Sequence, residues 1–245
     1  HSLTGRWRAG VNAATTKNRI AAEFLGTGFL VATVIGSGIM ASRLTNDVGI
    51  QLLANSIATG AVLIALISTF QAVSASFNPV VSLVSAVEGS SRWNEVGPII
   101  TAQLSGGIAG AVLANRMFDL PAIEISTNGR HGPGLFLAEV IATAGLVMVI
   151  FGSVRAGRSE SLPVVVGAYI TAAYWFTSST SFANPAVTIG RTLSDTFAGI
   201  APASVPGFVV AQVVGGVLAV LATLVLWPRH VPAVAVAIDV HEESR

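Results

Sequence analysis

The chain has 245 residues, 52% of them hydrophobic and 10% charged, and its mean hydropathy is +0.73. A water-soluble domain carries about 25% charged residues, so this composition marks an integral membrane protein and excludes a disordered chain. With 13 basic and 12 acidic residues the net charge is +1, which argues against nucleic acid as a partner, and the lack of cysteine removes disulfides, thiolate metal sites and thiol catalysis.

A helix crossing the hydrocarbon core needs about 20 apolar residues. Six stretches meet or approach that length: 20–40, 48–70, 96–113, 134–154, 162–176 and 205–227. The opening His1-Ser2-Leu3 lacks methionine and reads as a trimmed start or the remnant of a tag, with no signal peptide ahead of the first apolar stretch. The polar run 42–47 and the charged run 155–160 separate apolar stretches. Buried backbone must pair internally, so segments this long and uninterrupted are helices. Two further segments, 73–87 and 181–200, are mildly apolar, too short to span, and carry a proline near their start. They read as re-entrant half-helices, which membrane-depth backbone tolerates only inside protein or beside a water-filled cavity.

With the N-terminus inside, the inner segments hold Arg6, Arg8, Lys17, Arg19, Arg92, Arg155, Arg158, Arg229 and Arg245. The outer ones hold Arg43, Arg116, Arg130 and Arg191. That bias places both termini in the cytoplasm. Residues 1–19 and 228–245 are then cytoplasmic tails around a membrane domain at 20–227.

The two halves of that domain, about 20–115 and 134–227, resemble each other. The ten residues from Ala22 match those from Ala138 at half their positions, including Glu23 with Glu139. Phe77-Asn78-Pro79-Val80-Val81-Ser82 matches Ala183-Asn184-Pro185-Ala186-Val187-Thr188. Gln103-Leu104-Ser105-Gly106-Gly107 matches Gln212-Val213-Val214-Gly215-Gly216. Each half holds three spans, an odd number, so the halves insert with opposite topology. Inverted repeats put the functional site near the midplane, where broken helices meet.

Asn78-Pro79 and Asn184-Pro185 carry the chemistry. Proline suits the first turn of a helix, where its missing N–H is unpaired anyway. Asparagine caps that turn. Two half-helices entering from opposite sides bring two N-termini together, each worth about +0.5 charge. Cations and protons are disfavoured there, while each asparagine amide offers a donor to a neutral solute. A single Asn-Pro is an ordinary loop dipeptide; two copies at matched repeat positions are not. Glu23 and Glu139 are intramembrane carboxylates. They read as acceptors for backbone N–H groups of the half-helix loops, with Gln103 and Gln212 in the same scaffold, in preference to a proton relay. The glycines beside the glutamines read as close-packing positions between helices. The four histidines, His1, His131, His230 and His241, fall in tails or a loop, so no metal cluster is expected.

These paired motifs, with Glu23, Glu139, Gln103 and Gln212 in their places, resemble the aquaporin and glyceroporin superfamily (major intrinsic proteins) over about residues 20–227. The resemblance implies an all-α membrane protein with six transmembrane helices and two re-entrant half-helices in an inverted repeat. It implies a homotetramer in the cell membrane, one pore per protomer among membrane lipids, passive conduction of small neutral solutes, no cofactor and no enzymatic activity.

Several positions depart from the family. Most members carry an arginine directly after the second Asn-Pro-Ala; here Val187 stands there. Arg191, a helical turn further out, is a candidate for the outer vestibule, or it pins an outer loop by bonding carbonyls. Counted by the family's spacing, the remaining filter positions fall on Ala58 or Thr59, Ala172 and Ser181. All are small or medium, so a wide, mostly apolar outer constriction without a fixed cation is expected. The first motif reads Asn-Pro-Val, with Val80 for alanine, and Ser76 stands where a histidine is common at the inner end. The valine-for-arginine pattern resembles a bacterial subgroup linked to arsenical permeation. That implies passage of arsenous acid, other metalloid acids, methylated arsenicals, glycerol and water. The alternatives are a general water and glycerol channel and, ranked lower, a secondary transporter.

Overall fold

The computed structural model describes residues 14–227. Most of the two tails lies outside the described residues, with Arg6, Arg8, Arg229, Arg245 and three of the four histidines. The described residues form eight α-helices: α1 (Thr16–Leu44), α2 (Val48–Phe70), α3 (Pro79–Val87), α4 (Trp93–Met117), α5 (Pro133–Arg155), α6 (Leu162–Phe176), α7 (Pro185–Gly190) and α8 (Val205–Leu226).

Each start has a local cause. The Thr15 hydroxyl caps α1 by accepting from Asn18 N–H at 3.3 Å, and the Asp47 carboxylate caps α2 by accepting from Ile50 N–H at 3.1 Å. Proline occupies the first turn of α3, α5, α6, α7 and α8. Helices α1 and α4 run past the apolar stretches 20–40 and 96–113, because their polar ends pair with each other. Arg19 bridges from α1 to Glu95 of α4 at 3.1 Å, and Arg43 donates to the Phe118 carbonyl at 2.5 Å.

Five helices are long and apolar enough to span a membrane. The sixth expected span, α6, has 15 residues, about 22 Å at 1.5 Å per residue. A 3₁₀ turn at Ser159–Ser161 leads into it and the extended leg after Thr177 leaves it. The half-helices are also shorter than expected. In segment 73–87 only Pro79–Val87 is helical, and in segment 181–200 only Pro185–Gly190, followed by a 3₁₀ turn at Arg191–Leu193. The second stops early because the outer loop captures the chain. Glu124 N–H donates to the Leu193 carbonyl at 3.1 Å and Ser126 N–H to the Thr192 carbonyl at 2.9 Å.

Packing repeats the internal symmetry. Helix α1 lies against α4, α5 against α8, and α2 against α6 across the repeat boundary, with α3 and α7 wedged among them. Two glycines allow the first two pairings. A Cβ on Gly106 would sit 2.2 Å from the Phe24 carbonyl oxygen, and one on Gly215 would sit 2.5 Å from that of Val140. Both obstacles are backbone, so neither can swing aside. Gly106→Val is therefore expected to separate α1 from α4 and to lower the thermal unfolding midpoint of the detergent-solubilised protein by several degrees or abolish its recovery. An unchanged midpoint would contradict this close approach.

Candidate functional site

The site is built from the two half-helix starts. Asn78 Oδ1 accepts from Val80 N–H at 3.0 Å, and Asn184 Oδ1 accepts from Ala186 N–H at 2.9 Å and Val187 N–H at 3.3 Å. Each asparagine thus restrains its own helix. Each also reaches the other repeat: Asn78 Nδ2 donates to the Ala183 carbonyl and Asn184 Nδ2 to the Phe77 carbonyl, both at 2.7 Å. The residues whose carbonyls receive these bonds, Phe77 and Ala183, both have φ 48°. Left-handed backbone at a residue with a side chain costs about 1–3 kcal/mol. Here it turns both carbonyls toward the partner repeat. One N–H of each asparagine amide is used in this crossed pair, and the second has no partner among the described residues.

The intramembrane carboxylates hold the legs that carry these carbonyls. Glu23 accepts from Ser74 Oγ at 2.5 Å, Ser76 N–H at 2.8 Å, Phe77 N–H at 2.7 Å and Gln103 Nε2 at 2.8 Å. Glu139 accepts from Phe182 N–H and Ala183 N–H, both at 2.9 Å, and from Gln212 Nε2 at 2.7 Å. The two glutamines go on to Ser82 Oγ and Thr188 Oγ1, each at 2.9 Å. Both carboxylates are fully buried. Their oxygens are spent on fixed donors, the condition under which a buried charge is tolerated.

A cavity of about 230 Å³ runs past this centre. Asn78, Asn184, Val81 and Val187 line it, so repeat-related valines flank the asparagine pair. Toward one end, the inner one if both termini are cytoplasmic, it passes Ser76, Ser85 and Ser90 against Ile150, Val154 and Val166. Toward the outer end it passes Thr59, Tyr174, Ser181, Phe182 and Arg191. The third motif residues, Val80 and Ala186, stand off the wall that Val81 and Val187 line. Ala186 is fully buried beside Gly107 of α4, while Val80 packs with Val84, Val147 and Phe151. The change from alanine to Val80 therefore acts on helix packing and does not reach the cavity wall.

At the outer end one alternative, Ala58 or Thr59, is decided and two expectations are corrected. Ala58 is half-buried and off the wall; its neighbour Thr59 lines it. Ala172 is exposed on the far side of α6, and Tyr174 takes the cavity position in register with Val166 and Ile170. The Tyr174 hydroxyl lies 3.1 Å from Thr59 Oγ1, joining α6 to α2. A fixed cation is present as well. The Arg191 guanidinium is 2% exposed, lies 3.5 Å from the centroid of the Phe182 ring and donates through Nε to the Ala198 carbonyl. It pins the outer loop and lines the cavity at once. Arg130 approaches the same ring at 5.1 Å and donates through Nε to Gly199 at 3.0 Å. Burial lowers the Arg130 pKa, an effect opposed by the negative charge of Glu139.

The fold and this centre define a class. Two half-helices meet head-on at crossed Asn-Pro starts inside a six-helix inverted repeat, beside a cavity lined from both repeats: a pore-forming integral membrane protein. The chain belongs to the major intrinsic protein family, whose profile matches residues 11–181. It is 51% identical over 202 residues to the aquaglyceroporin AqpS of Rhizobium meliloti (strain 1021), covering 82% of this chain and 86% of that protein. It is 31% identical over 232 residues to an aquaporin Z of Rhodopseudomonas palustris, covering 86% and 94%. The solved aquaglyceroporin of Plasmodium falciparum shares the fold at a TM-score of 0.65 and 20% identity, over 85% of this chain and 96% of that one.

Proposed function

We propose that the chain forms a passive transmembrane channel for small neutral solutes: water, glycerol, arsenous acid and related metalloid acids, with methylated arsenicals among the larger permeants. The observation that carries this reading is Val187 on the cavity wall beside the crossed asparagines, where most of the family has arginine. A valine removes bulk and a fixed charge at the same point, which lowers the barrier to solutes wider than water. The names of the relatives, aquaglyceroporin and aquaporin, support permeants of the water and glycerol kind. Both termini lie in the cytoplasm and four copies assemble, each with its own pore. A second reading, a water and glycerol channel that admits metalloids incidentally, draws support from Tyr174 and Arg191. They make the outer wall less open than valine alone suggests.

Flux into proteoliposomes tests both. Val187→Arg is expected to cut glycerol and arsenous acid entry on the order of tenfold while water entry falls less, since one barrier increment of about 1.4 kcal/mol is a factor of ten. Equal loss of all three, or no change, counts against the filter reading. Saturable, gradient-coupled uptake by the unaltered chain would revive the transporter.

A further inference from the structure

The outer wall has its own polar geometry, separate from the asparagine centre. Glu139 holds Phe182 N–H at 2.9 Å and so fixes the leg on which the Phe182 ring stands. The ring supports the Arg191 guanidinium on one contact at 3.5 Å, a cation–π distance in a site removed from water. Nε is spent on the Ala198 carbonyl, and Arg191's terminal nitrogens have no hydrogen-bond partner among the described residues. Beside it on the wall is Ser181, 3% exposed, whose hydroxyl is buried and has no hydrogen-bond partner. A buried hydroxyl left without a partner costs about 1–3 kcal/mol. Such a group on a cavity wall is poised for something that passes. The backbone at Ser181 is itself left-handed, with φ 49°.

We propose that Arg191 and Ser181 form an outer solute-docking site, in which the Arg191 guanidinium is the fixed cation of this pore, displaced one helical turn outward from Val187. The Arg191 terminal N–H groups donate to a hydroxyl oxygen of an entering neutral polyol or oxyacid, and the Ser181 hydroxyl exchanges a second hydrogen bond with it. The hydrogen-bonded Tyr174–Thr59 pair lines the same cavity. Charge exclusion and solute width are thereby separated: Arg191 repels cations from outside the narrow point, and Val187 leaves that point unobstructed. Arg130, the second guanidinium near the Phe182 ring, adds positive potential to the same region, and Glu139 beneath the leg is the carboxylate within electrostatic reach of both.

The inference rests on the channel reading, and the experiment separates the two. Proteoliposomes bearing the unaltered chain, Arg191→Gln, Arg191→Lys and Ser181→Ala are compared for sodium and proton leak and for glycerol and water entry. Arg191→Gln is expected to raise the cation leak on the order of tenfold or more, the effect of removing one unit charge beside a narrow path. Arg191→Lys is expected to keep the leak low. Ser181→Ala is expected to lower glycerol entry several-fold relative to water without a cation leak. Should Arg191→Gln not reach the membrane, Arg191→Met keeps the stem against Phe182 and carries the same test. Unchanged leak in a neutral variant that still passes glycerol overturns the proposal, as does an equal leak in Arg191→Lys. An unaltered chain that passes neither water nor glycerol overturns the channel reading instead.

Discussion

Glu139→Leu is expected to abolish solute conduction and to remove most of the stability of the second half-helix. The substitution deletes the acceptor of three buried donors, Phe182 N–H, Ala183 N–H and Gln212 Nε2, at 2.9, 2.9 and 2.7 Å. Each orphaned donor costs about 1–3 kcal/mol, against a total of about 5–15 kcal/mol that holds a typical fold. Leucine brings no compensating contact, because the leg it would face is backbone. Glu139→Gln should be milder, since one oxygen remains, but its amide sets a donor against one of the N–H groups. Glu23→Leu should cost at least as much, because Glu23 serves four donors where Glu139 serves three. Thermal unfolding in detergent and glycerol flux in proteoliposomes check the order: unaltered, Gln, then Leu. Full stability in Glu139→Leu with only proton movement lost would mean that the carboxylate is a relay and its hydrogen bonds are incidental.

How much of this was legible in the sequence depends on the range of each interaction. Asn78-Pro79 and Asn184-Pro185 announce themselves, because proline and a capping side chain act within one turn. The pairing of Glu23 with Gln103 was also legible, since both recur in the second half as Glu139 and Gln212. The reciprocal bonds between Asn78 and the Ala183 carbonyl, and between Asn184 and the Phe77 carbonyl, were not. They span more than a hundred residues and need left-handed backbone at Phe77 and Ala183, where no glycine marks it. Tyr174 was missed for a different reason. Counting by the family's spacing gives Ala172, but the structure places Tyr174 two residues later on the cavity side. The helical period does point there: Val166, Ile170 and Tyr174 repeat every four residues and share the wall, and a buried phenol needs a partner. For Arg191 the sequence left two places open, outer vestibule or loop pin; the Phe182 platform beneath it was not legible, because Glu139, far away in the chain, sets it.

Asn184→Asp isolates the electrostatics of the centre from its geometry. The two side chains have nearly the same shape, and aspartate caps a helix as well as asparagine does. The change therefore keeps the α7 cap at Ala186 N–H and Val187 N–H. It removes one donor, the Nδ2 that reaches the Phe77 carbonyl at 2.7 Å, and sets a carboxylate oxygen against that carbonyl. Losing this bond and burying two facing acceptors costs about 1–3 kcal/mol. The larger effect is on what may stand at the midpoint. Two helix N-termini of about +0.5 charge each meet there, and one carboxylate offsets their sum. The barrier to cations should fall, so sodium and proton leak should rise while glycerol and water entry drop. Asn78→Asp should do the same from the other repeat, at Ala183. The double variant should cost less than the sum in lost solute flux, since the first change already breaks the crossed pair, but more than either in cation leak. An Asn184→Asp channel that still excludes cations would mean that the half-helix dipoles are a minor barrier here and that exclusion rests on Arg191 at the outer wall.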